Sequence, residues 1–210
     1  MLKILNFFLA LVGKHTYIVF SFFDKDLSKD FDVIKSSLLE KKLTININLL
    51  KSVLLIEDVR FFEHKGIDLR AILRAIYNGL FLNRLEGGST IEQQYVRLIT
   101  KKREISLKRK IRESLLAIKL SDLFSKDKIL ESYLTNYEFY GGIKGVIQLI
   151  DNKGFDATNL SNNHISILVS RIKYPFVSDT NSLYLRRISI IKSIINRNDL
   201  SPQIVVLFAR

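Results

Sequence analysis

Hydrophobic residues recur at helical spacing along most of the chain, with charged residues between them. Apolar residues that lie three or four positions apart favour a helix with one buried face. The pattern predicts helices over residues 32–39, 45–57, 69–81, 101–119, 126–136, 165–172 and 183–195. It indicates a short buried helix or strand for the last seven residues, IVVLFAR. The fold class is therefore predicted to be all-α.

Capping residues mark the starts of some of these helices. Asp68 is predicted to cap helix 69–81. The apolar face of that helix is predicted to consist of Leu69, Ile72, Leu73, Ile76 and Leu80. After a Gly-Gly pair, Ser89 and Glu92 stand three positions apart, which is a capping-box signature and predicts one more helix.

The first 24 residues contain two apolar runs, 4–13 and 17–23, separated by Lys14 and His15. Neither run reaches the roughly 20 residues that a bilayer crossing needs. If the two runs form one span, the central lysine makes insertion only marginally favourable. A signal-anchor, an interfacial helix and a buried hairpin all remain open. No small-residue cleavage site follows, so we expect the segment to be retained, with residues 1–44 forming a membrane-associated segment and connector.

The length and composition of the chain limit the number of domains and indicate the kind of partner. A chain of 210 residues fits one domain, or one domain with a small lobe, and zero Cys excludes disulfides and zinc-cysteine sites. With 33 Lys and Arg against 21 Asp and Glu, the net charge of +12 predicts an anionic partner. Because 47% of the residues are hydrophobic, a bilayer is favoured over nucleic acid. In the last helix, Arg186 and Arg187 are predicted to be exposed.

The stretch 56–66, IEDVRFFEHKG, places ionisable groups beside apolar residues. Its ionisable side chains are Glu57, Asp58, Arg60, Glu63 and His64. Burial raises the pKa of a carboxyl group and a neighbouring cation lowers it, and a carboxylate tuned in this way can act as a general base. The alternative is a solvated charge cluster at the end of a helix.

Two later stretches have the composition of an anion site. In LEGGSTIEQQ, free N–H groups at a helix start would favour a phosphate, with Gln93, Gln94 and Arg97 as further donors. The alternative is that the Gly-Gly pair forms only a turn before a capped helix. In KKREISLKRKIRE, helical spacing lets Arg109, Lys110 and Glu113 share one face. That face is either a salt-bridged solvent surface, or a row of cations for a diphosphate with Glu113 positioning them or binding a metal.

Four stretches, in this order, resemble the motifs of glycosyltransferase family 51, the peptidoglycan glycosyltransferases. They are EDVRFFEHKG, GGSTIEQQ, RKIRE and KILESYL. The resemblance covers residues 49–196, and EFYGGIKGV is similar to the monofunctional biosynthetic transglycosylases in particular. It implies that residues 45–210 form the glycosyltransferase domain, with a lysozyme-like helical fold and a small hydrophobic lobe that contacts the membrane.

The resemblance also implies an activity, the inverting polymerisation of lipid II on the outer face of the cytoplasmic membrane. The donor is a glycan attached to undecaprenyl pyrophosphate, and cell-wall synthesis proteins are the expected protein partners. Glu57 would be the general base, while Glu113 and its neighbouring cations would bind the pyrophosphate, directly or with a divalent cation such as Mg²⁺. No metal-ligating residue is assigned. The implied substrate-binding residues are Asp58, His64, Arg74, Gly88, Ser89, Thr90, Gln93, Gln94, Arg97, Arg109 and Lys110.

The chain departs from the family pattern at four positions. Arg97 replaces a lysine, Ile105 an arginine, Thr135 an asparagine and Tyr140 a glycine. The loss of one cation near the donor would lower the rate, but because both carboxylates are present we expect an active or weakened enzyme. Two alternatives are a catalytically degenerate relative that binds lipid II or a cell-wall enzyme, and a hydrolase of glycan strands. The basic RKIRE helix argues against the hydrolase, since a neutral glycan needs no cations around a diphosphate.

Overall fold

The computed structural model describes residues 11–13, 15–18, 25–38, 45–83 and 87–197. Within these ranges the regular structure is helical, with one isolated bridge between Glu138 and Lys144 and no strand. The prediction of an all-α fold is therefore confirmed. The helices are α1 (Lys25–Ser37), α2 (Ile47–Glu57), α3 (Leu69–Phe81), α4 (Ile91–Thr100), α5 (Leu107–Leu123), α6 (Lys126–Asn136), α7 (Gly145–Asn152), α8 (Asn162–Lys173) and α9 (Ser182–Arg197). The predicted buried segment at 204–210 lies outside the described residues.

The chain forms two compact units that alternate along the sequence. The first consists of Met1–Glu40 and Arg60–Tyr133, and the second of Lys41–Val59 and Leu134–Arg210. In the first unit α4 packs on α5, and α1 contacts both. In the second unit α8 is central, because α2, α7 and α9 all pack against it.

Each unit has its own hydrophobic core. Among the most buried side chains of the first unit are Phe61, Ile91, Tyr95, Leu116, Leu120, Ile129, Leu130 and Tyr133. Those of the second include Leu49, Val53, Leu149, Ile165, Val169, Tyr184 and Ile191. Most of these residues recur at spacings of three or four within their helices, so helical periodicity explains why these faces are buried.

Helix α1 is longer than predicted at its start. The sequence predicts a helix from residue 32, whereas α1 begins at Lys25. Leu27, Phe31 and Ile34 lie three or four positions apart and are all buried. Because this apolar stripe begins at Leu27, the helix can bury an apolar side chain before residue 32, and it starts earlier than predicted.

The capping box of α4 is displaced by one residue from its predicted position. Thr90, not Ser89, is the N-cap: its hydroxyl accepts from the Gln93 backbone N–H at 3.3 Å, and Gln93 Oε1 accepts from the Thr90 N–H at 3.1 Å. Ser89 Oγ instead accepts from the Lys110 ammonium at 2.7 Å. Glu92 points into the first unit, where it is fully buried.

The apolar face predicted for α3 is present, but much of it is exposed. No residue of the helix is buried, although Asp68 caps it as predicted. The exposed fractions of Leu73, Ile76 and Leu80 are 51%, 52% and 75%. Tyr77 and Phe81 are exposed as well. Helix α3 therefore presents a hydrophobic surface of the first unit.

The described part of the N-terminal segment, residues 11–13 and 15–18, is helical. Its Tyr17 is buried, and the Lys119 ammonium lies 4.0 Å from the centre of the Tyr17 ring. Phe31 of α1 meets the same ring edge-on at 6.2 Å. Among the described residues, no helix combines the length and hydrophobicity that a bilayer crossing requires.

Candidate active site

Helices α4 and α5 together bring three cations to one buried carboxylate. Glu113 is 3% exposed. Arg97 holds both of its oxygens, with Nε 2.8 Å from Oε1 and Nη2 3.1 Å from Oε2. Arg109, one turn earlier on α5, donates to Oε1, and Lys110 Nζ lies 3.8 Å from Oε2. We call these four residues the cationic cluster.

The cationic cluster has an excess of positive charge. Three cations surround one carboxylate, which leaves two positive charges uncompensated within the set. Burial lowers the pKa of Lys110. The Glu113 carboxylate opposes that shift, while the Arg97 and Arg109 guanidiniums add to it. Because the side chains of Arg97 and Lys110 are 34% and 38% exposed, the excess charge is accessible to an anionic ligand.

The polar residues of the GGSTIEQQ stretch stabilise the local structure around this cluster. Thr90 Oγ1 donates to the Gly66 carbonyl at 2.7 Å, and Gln93 Nε2 donates to Ser114 Oγ at 2.8 Å. Tyr133 donates to Gln94 Oε1 at 2.7 Å. The backbone N–H groups of Thr90 and Gln93 are occupied by the capping box, so they are not directed at an external anion.

Gly88 allows this stretch to approach α3 closely. A Cβ at Gly88 would lie 3.1 Å from the Ala71 carbonyl oxygen and 3.3 Å from the Ala75 methyl group. A side chain at this position would therefore force the two segments apart. Arg74, the predicted substrate-binding residue of α3, is exposed.

The segment that contains His64 is anchored at both ends. His64 is 2% exposed and its ring meets the Phe61 ring edge-on. Gly66 adopts φ +86°, and a Cβ there would lie 2.4 Å from the Ala117 carbonyl. At the other end, Arg60 donates to Asp68 from Nε and Nη2 at 2.8 and 2.7 Å. Burial favours the neutral acid, but the hydrogen bonds outweigh it and hold the pKa of Asp68 below its usual value.

Glu57 is the last residue of α2, in the second unit. Its side chain is 13% exposed, and Oε1 accepts a hydrogen bond from Arg187 Nη2 at 2.7 Å. The charge-assisted bond fixes the orientation of the carboxylate. Asp58 follows as the C-cap; its N–H donates to the Leu54 carbonyl at 3.0 Å and it is 8% exposed.

Arg187 is a residue that the sequence analysis placed wrongly. The prediction of an exposed Arg186 is confirmed, but the Arg187 side chain is only 20% exposed and pairs with Glu57. Its helical position could have indicated this, since it lies three residues after Tyr184 and four before Ile191. Both of those residues are buried, so Arg187 lies on the same buried stripe of α9.

The structure thus groups the predicted site residues into sets within each unit. In the first unit, Ser89 hydrogen-bonds to the cationic cluster, and the Thr90–Gln93 capping box is connected to it through Ser114 on α5. In the second unit, Glu57 is paired with Arg187. A fixed carboxylate can accept a proton, and a cationic cluster can stabilise a departing anion.

Comparison with known proteins identifies the class to which this chain belongs. A family model described as transglycosylase matches residues 32–195, and the chain belongs to this family. It is 37% identical to penicillin-binding protein 1A of Rickettsia conorii over 134 residues, which are 60% of this chain and 17% of that protein. It is 33% identical to a monofunctional glycosyltransferase of Staphylococcus epidermidis over 144 residues, 63% of this chain and 53% of that protein.

A third relative is also a penicillin-binding protein. Penicillin-binding protein 1F of Bacillus subtilis is 32% identical over 161 residues, which cover 68% of this chain and 22% of that protein. The chain therefore corresponds to about half of the monofunctional relative and to a smaller part of the two penicillin-binding proteins.

Proposed function

We propose that the chain is a peptidoglycan glycosyltransferase that polymerises lipid II into glycan strands. The observation that carries this proposal is the cationic cluster, in which Arg97, Arg109 and Lys110 surround a buried Glu113 and leave an excess of two positive charges. A sugar diphosphate leaves as a polyanion, so accessible cations stabilise the charge that develops in the transition state. Membership of the transglycosylase family supports the same activity.

In the proposed reaction, Glu57 is the general base. Its carboxylate accepts the proton of the acceptor sugar hydroxyl while that oxygen attacks the anomeric carbon of the donor. The bond from the anomeric carbon to the diphosphate breaks, and its electron pair leaves with the diphosphate oxygen, so the anomeric configuration inverts. Arg187 is a positioning residue, because its hydrogen bond holds the carboxylate in one orientation.

The cationic cluster binds the donor diphosphate directly in this proposal. Glu113 keeps the side chains of Arg97 and Arg109 in place, and the cations bind the phosphate oxygens. A Mg²⁺ ion prefers oxygen ligands and few neighbouring cations. Because both Glu113 oxygens already accept hydrogen bonds from guanidinium groups, the donor set does not fit a Mg²⁺ ion at Glu113.

We propose that the enzyme works at the cytoplasmic membrane, on its extracytoplasmic face, where lipid II and the growing strand are its substrates. The exposed hydrophobic surface of α3, with Leu73, Ile76, Tyr77, Leu80 and Phe81, supports this location. An amphipathic helix of this kind binds a membrane by burying its apolar face among the lipids. Cell-wall synthesis proteins are the proposed protein partners.

Replacing Arg187 by Gln should lower the turnover rate more than it changes the KM for lipid II. Loss of one charge-assisted hydrogen bond is worth about 1.5–3 kcal/mol, which corresponds to roughly a 10- to 100-fold lower kcat. Arg187→Lys should recover part of the loss, since it restores the charge. Arg186→Gln is the matched control, because Arg186 is the exposed neighbour on α9. Equal kcat values for the two Gln variants would contradict the assigned role.

The loss of kcat/KM at alkaline pH should follow deprotonation of the Lys110 ammonium. Its pKa is lowered by burial and by the neighbouring guanidiniums, so the ammonium loses its proton at a lower pH than an ordinary lysine. Donor affinity should therefore fall as the pH rises towards that lowered pKa. Lys110→Arg keeps its charge at all working pH values, so the alkaline loss of kcat/KM should move to higher pH. An unchanged alkaline limb in Lys110→Arg would show that another group titrates.

The proposed function is tested with purified protein and labelled lipid II, the products being separated by gel electrophoresis. We expect a ladder of glycan strands that persists in EDTA, because the cations replace a metal, and that disappears with moenomycin, an inhibitor of family 51. A ladder that requires Mg²⁺ would contradict direct binding of the diphosphate but retain the activity. Absence of strands under every condition would overturn the proposed function.

A further inference from the structure

The second unit contains a cavity that the proposed reaction does not use. Its volume is about 300 Å³, at the lower end of the range for small-molecule sites. One wall is the turn that contains Phe139 and Ile143, another is the end of α7, and the third is the loop between α8 and α9. We call it the α7–α8 cavity. Neither Glu57, Arg187 nor any residue of the cationic cluster lines it.

A buried arginine holds the loop wall of this cavity in place. The Arg171 side chain is 6% exposed, and its Nη1 donates to the carbonyls of Tyr174 and Val177 at 3.1 and 2.6 Å. Its Cζ lies 4.0 Å from the centre of the Tyr184 ring on α9. A buried charge is costly unless it is well paired, and these contacts pair Arg171 together with the Asp179 carboxylate. The loop is therefore fixed and the cavity is preformed.

The charged residues of the cavity leave one positive charge in excess. Asp179 accepts a hydrogen bond from Lys153 Nζ at 2.6 Å and another from Arg171 Nη2. The bond from Lys153 lowers the pKa of the Asp179 carboxyl most, burial opposes this shift, and Arg171 adds to the lowering. The carboxylate is therefore ionised at neutral pH and neutralises one of the two cations. An ammonium has three N–H groups, so Lys153 can bind a second anion.

The rest of the lining is mainly apolar. The apolar side chains are those of Phe139, Ile143, Leu149, Pro175 and Val177. Asn152 and Ser178 add an amide and a hydroxyl group. This composition is typical of small-molecule sites, in which apolar walls bury the ligand and a few polar groups orient it.

We propose that the α7–α8 cavity binds a small monocarboxylate with an apolar group, the combination that the last residue of a peptide presents. The ligand carboxylate pairs with the Lys153 ammonium, and the apolar group packs against Phe139 and Leu149. A phosphate group carries nearly two negative charges at neutral pH. It is less well matched, because the excess in the cavity is one positive charge and the Asp179 carboxylate repels a second negative charge.

Two probes that differ only in the carboxylate test the proposal. N-acetyl-leucine and N-acetyl-leucine amide are each titrated into the isotope-labelled chain of 210 residues, and the backbone amide signals of Lys153 and Ser178 are followed by NMR. We expect saturation by N-acetyl-leucine with a Kd on the order of 1 mM, which is usual for a ligand of about a dozen non-hydrogen atoms. The amide should bind about ten-fold more weakly, since it makes no charge-assisted hydrogen bond. Equal affinities, or no saturable shift with N-acetyl-leucine, would overturn the proposal.

Two variants with opposite expected effects test the charges. Lys153→Gln should weaken the binding of N-acetyl-leucine about ten-fold, because it removes the charged donor. Asp179→Asn should tighten binding about three-fold, because it removes the competing carboxylate, whose side chain is 60% exposed and acts partly through solvent. Lys192→Gln removes an exposed lysine of α9 and is the matched control. The amide spectra show whether each variant is folded. Equal affinities of the Lys153 and Lys192 variants, or weaker binding by a folded Asp179→Asn, would contradict the assigned charges.

A third probe identifies the source of the carboxylate. The acid 4-methylpentanoate has the carboxylate and the apolar group of N-acetyl-leucine but lacks the acetylated nitrogen. Weaker binding than N-acetyl-leucine would support a peptide end as the ligand, and equal binding would support a simple aliphatic acid. Both results retain the monocarboxylate site. Because binding is measured without lipid II, a failure of the proposed polymerisation would leave this inference standing.

Discussion

Glu57→Gln should reduce the rate of lipid II polymerisation by about 10²- to 10⁴-fold, the usual contribution of a positioned general base. The amide has nearly the same shape as the carboxylate and can still accept the hydrogen bond from Arg187, but it cannot take the proton of the attacking hydroxyl. Initial rates of strand formation at saturating lipid II measure the effect. The protein should remain folded at the assay temperature, since the amide keeps the side chain's volume and can still accept the hydrogen bond from Arg187, and the melting temperature checks this.

The matched control for this variant is Glu63→Gln. Glu63 lies in the same EDVRFFEHKG motif, but its side chain is 38% exposed and its partner Arg70 is 3.9 Å away. Such exposed pairs contribute little, so polymerisation should be close to the parental rate. Polymerisation at the parental rate by Glu57→Gln would defeat the assignment of the base. Undiminished complementation in cells by a Glu57→Gln protein that polymerises nothing would favour the degenerate, lipid II-binding alternative.

Lys126→Met should cause the largest loss of stability, about 3–5 kcal/mol of unfolding free energy, the range measured when one partner of a buried pair is removed. Glu92 is 0% exposed, and its Oε1 accepts a hydrogen bond from the Lys126 ammonium. Its Oε2 has no hydrogen-bond partner among the described residues. The same ammonium lies 4.4 Å from the centre of the Phe61 ring. Without it, Glu92 would be a buried charge with no counterion.

Urea unfolding of three variants separates the ion pair from general effects of the substitution. Lys35→Met removes an exposed lysine of α1 and should change the unfolding free energy by less than about 0.5 kcal/mol. The double variant Glu92→Gln with Lys126→Met removes both charges and should recover part of the loss. If Lys126→Met were no less stable than Lys35→Met, the buried pair would not stabilise the first unit.

The sequence predicts the helices well where a cap and an apolar stripe agree. Asp68 is the N-cap that the sequence predicts for α3, and α6 has the predicted bounds. Helical spacing also placed Arg109 beside Glu113, because residues four apart in one helix must be neighbours. These features depend only on the spacing of residues within one helix, so they can be predicted from the sequence.

Features that depend on distant parts of the chain were not predicted. The pair of Glu57 and Arg187 joins residues 130 positions apart, and no local pattern specifies which helix faces α2. The role of Ser89 also depends on a distant residue. Its Oγ accepts a hydrogen bond from Lys110 on α5, and Thr90 is the N-cap in its place. Periodicity identified the apolar face of α3, but periodicity does not determine what covers such a face.

The most direct test of the proposed reaction is to count its two products together. Purified protein is incubated with lipid II labelled in both the sugar and the lipid, and glycosidic bonds and released undecaprenyl pyrophosphate are quantified over time. If the glycan is transferred from the lipid diphosphate donor, one undecaprenyl pyrophosphate is released for each new glycosidic bond. Two results would contradict the proposed polymerase activity. One is binding of lipid II without either product, and the other is release of undecaprenyl pyrophosphate without strand growth.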